Sequence, residues 1–362
     1  MAVSGKKIRI AVVGAGFGAR IQVPGFRASG RFEVVALVGR DPDRLARAAA
    51  RCGVDRVCRS LDEALALPDL HAVSITTPPA AHAAAAIAAA RAGLHVLCEK
   101  PMARTVAEAE AMCAAARGVV ALVDHEFRFD PARAMLARLI ERGDLGTPQL
   151  ITAITTMPHY IGPWRPPPAW WFDADLGGGW LGACGSHWID ALRVWLGEIT
   201  DVTAVVDAHA PPPSSVARRA DDTYTVLFRV LGGAHGVLQQ SAATWGRRFE
   251  ALRIAGGDGT CWIDGNELWH ANRSEPGAVV AIPDDLRLPE IPTEPWMGPF
   301  AAVELPAFVR QAEQFADMIE GRTPTGPRAA TFADGLACQR VMEAARAAAT
   351  SRGWIHLADA AR

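Results

Sequence analysis

A chain of 362 residues, half of them hydrophobic, is long enough to hold two domains with substantial cores, and it reads as globular. Its 37 basic and 39 acidic side chains nearly cancel, which excludes the basic field of a nucleic-acid or anionic-membrane binder and leaves small molecules as expected partners. Seven cysteines, an odd number scattered without C-x-x-C pairs, argue against a disulfide framework and against a zinc site, so no metal is expected and a reducing, cytoplasmic setting fits best. The first apolar run is too short for a signal sequence, and the Ala-rich stretch near 80–94 is interrupted by His82 and Arg91, so neither secretion nor a membrane span is expected.

The first run, from Ile8 to Val13, breaks into Gly14-Ala15-Gly16-Phe17-Gly18-Ala19 and continues as a helix. This is a turn suited to a dinucleotide pyrophosphate. Gly14 permits the tight turn, Gly16 lets the backbone approach the phosphates, Ala19 keeps helix and strand close, and the helix N-terminus offers unpaired N–H donors, so Gly14, Gly16, Phe17, Gly18 and Ala19 are expected around the cofactor. A second strand, 32–38, follows at βαβ distance and ends Leu37-Val38-Gly39-Arg40-Asp41. With Gly39 at the usual place of the ribose-binding acid, Arg40 can pair with a 2′-phosphate, which favours NADP(H) over NAD(H). In the competing reading Arg40 is solvated and Asp41 takes the ribose.

Helices are expected at 42–52, 80–92 and 106–117, and strands at 72–76, 94–98 and 119–123. Strands alternating with helices indicate a doubly wound parallel sheet, with the ligand at the carboxyl ends of its strands. Beyond Gly146-Thr147-Pro148 the runs 149–156, 202–208, 223–230, 236–242, 250–255 and 260–263 mostly lack intervening helices and indicate an antiparallel sheet. A Pro-rich stretch from 276 to 306 leads to two amphipathic helices, 307–320 and 329–349.

Two segments carry the chemistry. In the first, Thr76-Thr77-Pro78-Pro79 with His82, and Glu99-Lys100-Pro101, fall at carboxyl ends of the expected parallel strands, where a nicotinamide would lie. Desolvation there would lower the pKa of Lys100, which could then exchange a proton with a substrate hydroxyl. In the second, the glycines at 177–179 lead into Trp180-Leu181-Gly182-Ala183-Cys184-Gly185-Ser186-His187-Trp188-Ile189-Asp190, a helix on which Ala183, Cys184, His187 and Asp190 share a face. The preceding loop, 157–172, is rich in aromatics and prolines. Tyr160, Trp164 and Arg165 are its candidates for stacking on, and anchoring, a polyhydroxylated ring.

Taken together, these motifs resemble the Gfo/Idh/MocA oxidoreductase family over nearly the whole chain. The likeness rests on the glycine turn, on Thr77-Pro78-Pro79 with His82, on Glu99-Lys100-Pro101, on Arg128-Phe129-Asp130-Pro131, on Gly185, His187 and Asp190, and on Phe315-Ala316-Asp317. It implies an α/β chain with a Rossmann domain at 1–123, a substrate and oligomerisation domain at 124–305 built on an open, mostly antiparallel sheet, and helices at 306–362 that pack back. It also implies hydride transfer between a nicotinamide and a hydroxyl or carbonyl carbon of a sugar, cyclitol or related molecule, and a homodimer or homotetramer. Lys100 and His187 inherit the catalytic roles, and Gly39, Arg40, Thr77, Pro78, His82, Glu99 and Lys100 join the glycine turn at the cofactor. One position departs from the family. Where many members carry an Asp four residues before the histidine, this chain has Ala183, so Lys100 and His187 share the proton work or Tyr160, Asp173 or His159 takes the carboxylate's place. Two other readings stay open: a lyase or glycosidase that oxidises its substrate transiently, and a silent dinucleotide-binding protein.

Overall fold

The computed structural model describes residues 7–162, 167–216 and 218–357. It divides into two compact units, Met1–Asp130 with Arg287–Leu336, and Pro131–Leu286 with Ala337–Arg362. The closing segment that the sequence set apart at 306–362 is therefore shared between the two.

In the first unit, β1 (Ile8–Val13), β2 (Phe32–Val38), β3 (Val57–Cys58), β4 (Ala72–Ile75), β5 (His95–Cys98) and β6 (Ala121–Val123) form a parallel sheet in the order β3-β2-β1-β4-β5-β6. Its helices are α1 (Val23–Ala28), α2 (Pro42–Cys52), α3 (Leu61–Leu65), α4 (His82–Arg91) and α5 (Val106–Ala115). Both faces of the sheet are buried, as a parallel sheet requires. Along β1, Ile8, Ile10 and Val12 enter one core with Phe26 and Phe308, while Ala11 and Val13 enter another with Ala86 and Met112. Strand order reverses at β1 and β4, so the turns leaving β1, β4 and β5 share the carboxyl edge where such folds bind ligands.

The second unit contains α6 (Pro131–Glu141), β7 (Pro148–Thr156), α7 (Ser186–Leu196), β8 (Ile199–Asp207), β9 (Thr223–Val230), β10 (His235–Ser241), β11 (Phe249–Gly256), β12 (Gly259–Asp264), β13 (Glu267–Asn272) and β14 (Ala278–Val279). The chain closes with α8 (Ala301–Ile319), α9 (Phe332–Ser351) and β15 (Ile355–His356), and α9 runs across the division between the units. Nine strands pair in the order β14-β13-β12-β11-β7-β10-β9-β8-β15, antiparallel except for β7 beside β10. One face of this sheet packs Ile151, Phe228, Leu238 and Ile254 with Leu136 of α6, Leu192 of α7 and Met342 of α9. The opposite face carries Leu150, Val205, Leu227 and Phe249, which are 51, 61, 45 and 55 % exposed.

Helix α8 begins at Ala301 rather than after Pro306, which lies inside it. Proline removes one backbone donor from a helix. Burial of Leu305, Pro306, Ala307 and Phe308 outweighs that loss, and Phe308 meets Phe26 edge-on at 5.1 Å.

Candidate functional site

Each unit holds one part of the expected chemistry. In the first, Gly14 lies at φ +131°, and a Cβ there would stand 2.2 Å from Thr76 Oγ1 and 2.7 Å from Thr76 O. A Cβ on Gly18 would stand 2.5 Å from Thr76 Oγ1 and 2.6 Å from Val12 Cγ1, so the close strand-to-helix approach assigned to Ala19 also depends on Gly18. Ala19 is buried beside it. Gly16 faces Arg44, whose Nη2 lies 3.3 Å from the place of a Cβ. Phe17 is half-buried.

The helix then opens with a π turn, Gly18–Gln22, that continues into α1. Such turns insert an extra residue and are frequent at functional sites. At the end of β2, Gly39 is half-buried and Arg40 exposed. Asp41 is occupied as the N-cap of α2, where its Oδ1 accepts from Arg44 N at 3.0 Å.

After β4, Thr77 and Pro78 are half-buried, and Thr77 Oγ1 is buried with no hydrogen-bond partner among the described residues. His82 is 1 % exposed, with Nδ1 3.0 Å from Pro101 O and Nε2 2.6 Å from Thr77 O. It braces the β4 loop against the β5 loop. Burial holds its pKa below the usual histidine range.

Three carboxyl side chains, Glu99, Glu126 and Glu304, interact electrostatically with the half-buried Lys100, and a fourth, Asp124, acts on Glu99. Glu99 and Asp124 are buried, and burial raises both, Asp124 well above the ordinary aspartate range. Burial lifts Glu126 to about 8 and Glu304 of α8 to about 6, and the Lys100 ammonium opposes both shifts. The unfolded chain releases the Glu126 proton near pH 4.5 and the folded chain near 8, so between these values the folded state holds more protons and loses stability as pH rises. Thermal melts from about pH 6 to about pH 9 should register a loss to which Glu126 contributes on the order of 2–3 kcal/mol and the buried Asp124 adds in the same direction, and Glu126→Gln should remove the Glu126 share. A melting temperature that rises over that interval would contradict the assignment.

In the second unit, a π turn, Leu181–Gly185, leads into α7. His187 and Asp190 are buried, Ala183 and Cys184 half-buried, and Cys338 Sγ lies 3.9 Å from Asp190 Oδ1. Of the three side chains expected to replace the carboxylate absent at Ala183, Tyr160 is buried with its OH donating to Trp171 O at 3.3 Å. Asp173 accepts from Asp175 N, and His159 lies with its ring 5.4 Å from that of Trp171 and 5.2 Å from that of Trp180. The carboxylate at this turn is one the sequence did not single out. Asp221 accepts from Leu181 N at 2.6 Å, with Arg346 at 3.8 Å, and leaves no room for a Cβ on Gly179. Trp164 and Arg165 lie outside the described residues. Among the described residues, no helix is long and apolar enough to cross a membrane.

Comparison with known proteins agrees with this architecture. The model of the oxidoreductase family with an NAD-binding Rossmann fold, GFO_IDH_MocA, matches residues 8–125, and that of the GFO/IDH/MocA C-terminal domain matches residues 134–262. An uncharacterized oxidoreductase of Synechocystis sp. is 28% identical, covering 97% of this chain and 96% of its own. The D-apiose dehydrogenase of Paraburkholderia graminis is 28% identical, covering 80% of this chain and 76% of its own. The levoglucosan dehydrogenase of Pseudarthrobacter phenanthrenivorans is 31% identical, covering 61% of this chain and 62% of its own. Among solved structures, levoglucosan dehydrogenase in complex with NADH and levoglucosan superposes with a TM-score of 0.84 at 26% identity, covering 98% of this chain and 100% of that one. The chain belongs to the Gfo/Idh/MocA family of oxidoreductases, with a Rossmann unit of the NAD-binding type.

Proposed function

We propose that this protein is an NADP(H)-preferring oxidoreductase that moves a hydride between the nicotinamide and a hydroxyl or carbonyl carbon of a sugar, cyclitol or related polyhydroxylated molecule. One observation carries the reading: the glycine turn, the Thr77 loop and the Lys100 loop leave neighbouring strands at the same carboxyl edge of one parallel sheet. The residues there fit a dinucleotide. Gly14 and Gly18 keep the turn clear of side chains, and the unpartnered, buried Thr77 hydroxyl is placed to bond a ligand. When bound, the dinucleotide supplies the hydride donor or acceptor. In the oxidative direction the hydroxyl proton must leave as the hydride departs, and Lys100 and His187 are the residues proposed to take it.

The sugar class rests on relatives named for levoglucosan and D-apiose, and a turnover screen of anhydro sugars, aldoses and cyclitols tests it. The preference for NADP(H) rests on Gly39 in place of an acid, on the exposed Arg40, and on the commitment of Asp41 to its helix cap. Arg40→Ala should weaken NADPH by about 1–3 kcal/mol and leave NADH nearly unchanged in fluorescence titrations. A rival reading, NAD(H), is favoured by the NADH complexes of levoglucosan dehydrogenase. Equal affinity for the two dinucleotides in the unmodified protein would remove the preference for NADP(H), and tighter binding of NADH would select the rival.

The same reading makes the chain a homo-oligomer. Leu150, Val205, Leu227 and Phe249 are exposed apolar side chains on the uncovered face of the nine-stranded sheet, and a second copy of the chain packed there would remove them from water. Light scattering at micromolar concentration should give at least a dimer of the 38.5 kDa chain. A clean monomer would refute the interface.

A further inference from the structure

Behind Lys100, three side chains from three elements form one buried polar unit. Gln22 ends the π turn before α1 and is completely buried. Its Nε2 donates to Glu99 Oε1 at 3.1 Å and to Asp124 Oδ2 at 2.6 Å. With the amide in this orientation, the Ser74 hydroxyl on β4 donates to Gln22 Oε1. Both Gln22 donor hydrogens are therefore directed at carboxyl groups, one beyond β5 and one beyond β6. Glu99 Oε2 also accepts from the Lys100 backbone N–H at 3.3 Å.

Two buried carboxyls held by one amide cannot both carry charge at low cost, and a shared proton resolves the conflict. The geometry says which one holds it. Glu99 is supplied with donors on both oxygens, whereas Asp124 Oδ1 is buried with no partner among the described residues. A hydroxyl on Asp124 would satisfy that oxygen, with the neighbouring Glu99 carboxylate as its acceptor.

We infer that Gln22 and Asp124 are positioning residues that fix the Glu99 carboxylate beside Lys100 and thereby set the pH at which Lys100 gains and loses its charge. The inference deepens the proposed function, because it rests on Lys100 as the proton-exchanging group. The other groups that act on this region are Glu126 beyond β6, Glu304 on α8 with Arg20 near it, and the thiol of Cys98, which Glu99 and Asp124 both push up. Glu99 differs from them in being tied to the Lys100 peptide itself.

The test measures Lys100 directly and needs no substrate. The intact protein is acetylated with trace acetic anhydride over a pH series, and modification of Lys100 is read by mass spectrometry, in the unmodified protein and in Glu99→Gln and Asp124→Asn. Glu99→Gln should move the midpoint of Lys100 reactivity down by about 1–2 pH units, the scale for losing a nearby opposite charge. Asp124→Asn keeps a neutral donor toward Glu99 and should leave the midpoint nearly in place. In infrared spectra near neutral pH, Asp124→Asn should also lose one protonated-carboxyl band, a readout that stands even if Glu99→Gln fails to fold. An unshifted midpoint in a folded Glu99→Gln, equal shifts in both variants, or an unchanged carboxyl band in Asp124→Asn would overturn the inference. Turnover is scored separately. A shifted midpoint in a protein that oxidises no polyol would retain the Glu99–Lys100 coupling and reject the catalytic reading.

Discussion

Lys100→Met and His187→Asn should each lower kcat for polyol oxidation by about 10²–10⁴-fold, the usual scale for a general acid or base, with dinucleotide affinity nearly unchanged. Lys100 leaves the end of β5 among buried carboxyls, and His187 sits buried on the first turn of α7, so each is held by its own unit without help from the cofactor phosphates. If the two serve one proton-transfer step, the double variant should be hardly slower than either single variant. Ala183→Asp examines the departure from the family at that turn. It should raise turnover only if the side chain enters the pocket in the usual manner. Near-normal turnover in both single variants would reject the two assignments and direct attention to Tyr160 and its loop.

The second large effect is expected at the glycine turn. Gly14→Ala places a β-carbon where Thr76 Oγ1 already lies, in a backbone conformation that side chains rarely adopt. Strain of this kind costs on the order of 1–3 kcal/mol, and relieving it requires moving either the turn or the β4 loop. Dinucleotide affinity should therefore fall by roughly 10–100-fold in fluorescence titrations, accompanied by a lower melting temperature. Gly30→Ala is the control, since Gly30 also has positive φ but an added Cβ meets nothing within 4 Å. It should lower stability modestly and leave affinity intact. Equal losses of affinity in the two variants would refute the special role of the turn.

Much of the first unit was legible in the sequence because its signals are local. The glycine turn, the Asp41-Pro42 start of α2 and the Thr77 and Lys100 loops each combine a periodic run with punctuation, and each is found where expected. Long-range pairing was not legible. The parallel contact of β7 with β10 joins residues separated by the whole of α7, β8 and β9, and nothing local encodes its register. Strand β13 was missed although Gly265-Asn266 between Asp264 and Glu267 is a hairpin signal.

At the site itself the omissions are buried polar groups. A lone glutamine after a glycine turn has no signature, and Gln22 matters only because a π turn and Ser74 orient it. Asp124-His125-Glu126 could have been found. Three titratable residues directly after the apolar strand β6 stand at the same carboxyl edge as Lys100 and carry the expectation that applies to Glu99.

This chain is proposed to move a hydride from a carbinol carbon to a nicotinamide with Lys100 taking part. Polyols deuterated at their carbinol carbons, levoglucosan among them, should be incubated with the protein and NADP⁺ or NAD⁺, and the reduced dinucleotide examined by mass spectrometry. The expected result is a dinucleotide that carries deuterium, formed by the unmodified protein and nearly absent with Lys100→Met. Tight dinucleotide binding without label transfer from any member of the panel, or transfer that persists undiminished in Lys100→Met, would contradict it.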